Sequence, residues 1–116
     1  MSGLADSVVA RLAEQRDLLQ DLNDRCSAIS VRATSRDRAV TVVVDGTGAM
    51  TALTLRPVAG RMAADTLAEL IVNTAQTAAA AAFDRRRQLT EQFNRRFLAA
   101  QNRELEMWDG SSVSPA

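Results

Sequence analysis

Residues 40–57 read VTVVVDGTGAMTALTLRP, and the fold turns on how that run is divided. Val40, Val42 and Val44 alternate with Thr41 and Val43, the period-two pattern of a strand with one buried face. The run breaks at Asp45-Gly46-Thr47-Gly48, where glycines supply the positive φ of a hairpin turn. Alternation resumes over Met50–Leu55 and stops at Pro57 and Gly60. Upstream, Ile29–Thr34 has the same β-branched character and reaches Val40 through a polar turn at Ser35-Arg36-Asp37. Connections this short force antiparallel pairing, so the three strands form a meander. Asp45-Gly46-Thr47-Gly48 lacks the lysine and the strand-to-helix setting of a phosphate-binding Walker loop, so it reads as a turn.

Helical periodicity flanks the meander on both sides. Over residues 3–28, Val8, Leu12, Leu19, Leu22 and Cys26, with Gln15 filling the gap, fall within a stripe roughly 80° wide. A stripe that narrow resembles a coiled-coil seam more than a helix lying on a broad core. From Ala63 to Trp108 there is neither proline nor glycine, and a straight helix of that length would run nearly 70 Å, at about 1.5 Å per residue. Ala78–Ala82 within it suits a close helix crossing at a subunit interface, or simple helix propensity. The expected architecture is therefore α+β: helix, three-stranded antiparallel meander, long helix. It occupies residues 1–108 as one domain, with a disordered tail at 109–116.

That layout carries a consequence for assembly. A three-stranded sheet of short strands spans roughly 20 Å and cannot cover a helix several times longer. Leu89, Phe93, Phe97 and Ala100 must then pack on the first helix, on a second subunit, or on both, and an intertwined homodimer is expected.

Composition narrows the function. The 116 residues carry 14 basic and 14 acidic side chains for no net charge, and every basic residue is arginine. An overall basic chain is thus not available as an argument for nucleic-acid binding, and local clusters must carry it. Histidine is absent and Cys26 is the single cysteine. Neither a zinc site nor a histidine-based triad can be built within one chain, so no metal, no cofactor and no enzymatic activity are expected. Cys26 shares the apolar stripe and reads as a small core residue. Charge enters the N-terminal segment too early for a signal peptide, and no run approaches the length of a membrane span. A cytoplasmic protein without a membrane partner is the expectation.

The order of elements, the segment Val40–Pro57 and the following LAELIVNTAQTA at residues 67–78 resemble the YbaB/EbfC proteins. In these a strand ends in a glycine turn and an alternating strand then stops near a proline. The resemblance spans about residues 4–105. It implies a homodimer that pairs its sheets, with Val42 and Leu53 candidates for the interface alongside Leu89, Phe93 and Phe97. It also implies a nucleoid-associated protein that binds double-stranded DNA with little sequence preference. Some relatives stand beside type VII secretion systems, which implies an alternative: a protein-interaction adaptor or chaperone-like regulator that does not bind DNA.

The densest basic stretch lies between Asp84 and Arg103, where six arginines face two acids for a local charge of +4. Arg85, Arg96 and Arg103 fall within roughly 20° on a helical wheel, beside the Leu89–Phe93–Phe97 stripe. Arg85, Arg87, Arg95, Arg96 and Arg103 are the candidates for contacting phosphates, while Arg86 points nearer the apolar side. The competing reading is a solvated helix face paired with Asp17, Asp21 or Asp24. Arg32, Arg36 and Arg38 form a second group, read first as charges guarding an edge strand and second as phosphate contacts. Trp108, among acidic neighbours, is poorly placed to stack on a base.

Overall fold

The computed structural model describes the backbone of residues 2–109 and the side chains of residues 3–103. The elements are helix α1 (Ser2–Ser27), strands β1 (Ser30–Thr34), β2 (Val40–Asp45) and β3 (Met50–Leu55), a short 3₁₀ helix (Pro57–Arg61) and helix α2 (Ala64–Asp109). Of the tail expected at 109–116, Asp109 ends α2, and residues 110–116 and the side chain of Trp108 lie outside the described residues. Two compact units emerge: a sheet unit, Arg25–Gln88, and a helix-pair unit made of residues up to Asp24 and from Leu89 onward.

In the sheet unit the strand order is β1-β2-β3, antiparallel throughout, as the short connections require. Val31 and Ala33 of β1 lie opposite Val44 and Val42, and Leu55 and Leu53 of β3 lie opposite Val40 and Val42. A register shift between Val43 and Val44 brings Met50 opposite Val44. The central valines Val40, Val42 and Val44 are 0–1% exposed, and they vanish from solvent together with Thr74, Ala78 and Ala82 of α2. Those helix positions recur every four residues and make one face. The alanine run therefore lets α2 lie closely on this unit's own sheet, with Ala80 and Ala81 turned out to solvent. β3 is different: every one of its residues is exposed.

Both turns are locked by side chains. Asp45 Oδ1 accepts hydrogen bonds from the Thr47 amide (2.9 Å), the Thr47 hydroxyl (2.6 Å) and the Ala49 amide (3.1 Å). Gly48 has φ +83°, and a Cβ there would lie 2.7 Å from the Phe83 ring, so a side chain at this position would strain the backbone and displace that ring. In the other turn Ser35 is buried; its hydroxyl donates to Asp37 Oδ1 (2.7 Å) and accepts the Val40 amide (3.1 Å). Pro57 opens a 3₁₀ turn that the sequence reading did not anticipate, and Ala59 within it is buried.

The helix-pair unit is thinner. Ala100 is buried, and Leu89, Phe93 and Phe97 are half-buried, with the two phenyl rings 5.6 Å apart. On α1 the half-buried face carries Glu14, Leu18, Asp21 and Leu22, whereas Val8, Leu12 and Leu19 stay exposed. The expected stripe is thus met only in part: Gln15, Leu22 and Cys26 are half-buried, while Val8, Leu12 and Leu19 are not on the packing face. α1 is turned so that Glu14 and Asp21, seven residues apart, meet arginines of α2.

Candidate nucleic-acid interface

Each candidate arginine is defined by what its guanidinium already holds. In the helix-pair unit Arg96 forms an ion pair with Asp21 at 3.3 Å and Arg103 one with Glu14 at 3.2 Å. Both pairs are solvent-exposed and so are worth about 0–1 kcal/mol apiece. Arg95 has no carboxylate partner among the described residues. Arg96 thus pairs with Asp21, as the solvated-face reading expects, and Arg103 pairs with Glu14, an acid outside that reading.

The remaining helix arginines belong to the sheet unit. Arg87 donates to Asp84 one turn earlier, and Gln88 donates to the same carboxylate at 3.3 Å. Arg86 also has a partner. Arg85 meets no carboxylate among the described residues.

Arg32, Arg36 and Arg38 are all exposed, and none of them forms an ion pair among the described residues. Arg32 sits in mid-β1, alternating with the inward Val31 and Ala33, so it projects from the face of the sheet opposite the valine core. Arg38 adopts φ +59°, a left-handed conformation uncommon outside glycine and asparagine. Asp37 does not neutralise them through a contact, because its carboxylate is committed to the Ser35 hydroxyl and the Ala39 amide. Those bonds, the serine's first, hold its pKa below the ordinary value of 3.8. Asp45 is lowered in the same way by Thr47.

Two further arginines, missed in the sequence, follow β3. The Arg56 amide donates to the Ala39 carbonyl at 2.9 Å, which ties the end of β3 to the β1–β2 turn. Arg61 closes the 3₁₀ helix that follows. Both are exposed and neither has a carboxylate partner among the described residues. The signal was present in the meander itself: in a three-stranded meander the end of the third strand returns beside the first turn.

Of the interface candidates, Val42 is spent on the chain's own core, while Leu53 opposite it is 42% exposed. Leu89, Phe93 and Phe97 retain part of their surface in the helix-pair unit. An open cleft of ≈ 590 Å³ separates the end of β1, at Thr34–Arg36, from Leu70, Asn73 and Thr77 of α2. Among the described residues no cluster of His, Cys, Asp and Glu could hold a metal ion, and no helix is long and apolar enough to cross a membrane.

A helix, an open antiparallel meander and a long helix, bearing exposed arginines, define a chain of the α+β class. The chain belongs to the YbaB/EbfC DNA-binding family, whose sequence profile matches residues 1–97. That family is nucleoid-associated. A search of curated protein sequences returns no match.

Proposed function

We propose that this chain acts as a cytoplasmic, nucleoid-associated homodimer that binds double-stranded DNA through its phosphates, with low sequence specificity and no catalytic role. Family membership over residues 1–97 is the observation that carries the reading. On α2 the contacts are led by Arg85 and Arg95, which no carboxylate among the described residues holds; Arg87, Arg96 and Arg103 engage by exchanging an exposed acidic partner for a phosphate. Low specificity follows from donors that suit phosphate oxygens, with no set of side chains arrayed to read base edges.

The dimer is supported by β3. It is an edge strand without charge, proline or glycine, and Met50, Leu53 and Leu55 leave 42–46% of their surface exposed on the core side of the sheet. Such an edge pairs or aggregates unless something covers it. Size-exclusion chromatography with light scattering should give twice the monomer mass, and a stable monomer contradicts the proposal. DNA binding is tested by retardation of a duplex at low salt, with log affinity falling linearly with log salt.

A second reading, a protein-interaction adaptor or chaperone-like partner, is favoured by the exposed stripe of Leu4, Val8, Leu12 and Leu19 on α1. Affinity capture that recovers a stoichiometric protein after nuclease treatment, from a chain that fails to retard DNA, would decide for it.

A further inference from the structure

We propose that the sheet unit carries its own DNA-contacting surface, formed by the outer face of the sheet and its turn end, with Arg32, Arg36, Arg38 and Arg56 as the phosphate donors. This inference rests on the DNA-binding reading above and says where the contacts fall.

Register determines the surface. With Val31 and Ala33 turned inward, Ser30, Arg32 and Thr34 face out. Thr34 lies opposite Thr41, and Thr41 opposite Thr54, so three hydroxyls cross the outer face in one row. The Thr34 and Thr41 hydroxyls are 3.1 Å apart. Arg56 follows Leu55, which is on the core side, and alternation turns it outward; its amide bond to Ala39 sets it beside the turn that bears Arg36 and Arg38. Four guanidinium charges stand against Asp37 at the turn and Asp45, which lies opposite Ser30 on the same face, a net +2; the guanidiniums are hydrogen-bond donors suited to phosphate oxygens.

Edge protection does not account for these arginines. It would explain Arg32, but Arg36, Arg38 and Arg56 lie beyond the strands. The edge in greatest need of a charge is β3, and it has none. Arg38 adds an independent sign: it holds a left-handed backbone that glycine or asparagine adopts more cheaply, and such outliers gather at functional positions. Asp65, in the first turn of α2, forms no ion pair with any of the group. The surface is therefore complementary to a polyanion without first breaking a salt bridge.

The test compares three full-length proteins on the same duplex across about 50 to 200 mM salt: wild type, Arg32→Gln/Arg36→Gln/Arg56→Gln, and Arg85→Gln/Arg95→Gln. Arg38→Asn serves as a fourth, removing charge while tolerating the turn. Loss of three phosphate contacts on each subunit that meets the duplex should flatten the log–log slope by about 3 per subunit, so that the sheet variant loses at least about 40-fold less affinity across that range than wild type does. The substitutions are exposed, and an unchanged melting temperature shows that folding is intact. A sheet variant with the full wild-type slope overturns this inference and leaves the DNA-binding reading standing. A wild type that fails to retard DNA at the lowest salt overturns both.

Discussion

In the helix-pair unit Arg96 and Arg103 each answer a carboxylate of α1, whereas in the sheet unit Arg32, Arg36, Arg38 and Arg56 answer none among the described residues. The two regions also differ in packing. The sheet unit buries three valines to 0–1% exposure, while the helix pair buries Ala100 and leaves Leu18, Leu22, Phe93 and Phe97 partly open. A guanidinium that already holds an acid gives up that partner on binding a phosphate, so its net gain is smaller than that of a free one. Charge density along a chain is therefore a poor guide to binding strength, and what matters is density net of partners supplied by other elements.

The contrast in packing gives the largest expected effects. Val42→Ala should destabilise the protein by about 2 kcal/mol through lost burial and a cavity. Leu18→Ala in the helix pair should cost clearly less. Urea unfolding checks both, and equal losses would remove the distinction between the units. Gly48→Ala should cost about 1–2 kcal/mol, because the backbone is left-handed and Phe83 stands where the methyl would go. Adding Phe83→Ala should relieve only the steric part, a non-additivity that a double-mutant cycle would resolve.

Freeing the held arginines sharpens the contrast at the level of charge. Glu14→Gln/Asp21→Asn should change stability by no more than about 1 kcal/mol per pair, since both pairs are exposed. The same change should steepen the salt dependence of DNA binding by up to about 2. An unchanged slope would mean that Arg96 and Arg103 do not reach the duplex. The smallest effect concerns acid. Asp37 and Asp45 have folded pKa values below the ordinary 3.8, so their hydrogen bonds stabilise the sheet unit above that value. This contribution disappears as pH falls through the lowered values. Asp37→Asn/Asp45→Asn should make the acid limb of a stability–pH curve shallower, and an unaltered limb would show that the turns do not sense protonation.

The meander was legible because its signals are local: valines at alternate positions, and a turn in which Asp45 holds Thr47 and Ala49 and Gly48 supplies the left-handed backbone. The packing face of α1 was legible only in part. It depends on Asp21 and Glu14 meeting Arg96 and Arg103, which lie 75 and 89 positions away. Leu22 of the expected stripe is half-buried, but Val8, Leu12 and Leu19 stay exposed and Leu18, outside the stripe, turns inward. The arginines were ranked by how densely they follow one another, which favoured residues 84–103. Arg56 stands alone in the sequence, and strand register places it beside the Ser35–Ala39 turn.

Arginine footprinting of the DNA-bound protein tests the central claim most directly. A dicarbonyl reagent modifies accessible guanidiniums, and peptide mass spectrometry reads each position with and without duplex. DNA should protect Arg32, Arg36, Arg38 and Arg56 most strongly, Arg85 and Arg95 next, and Arg96 and Arg103 least. Protection confined to Arg96 and Arg103, with the sheet arginines modified equally in both states, would contradict the account.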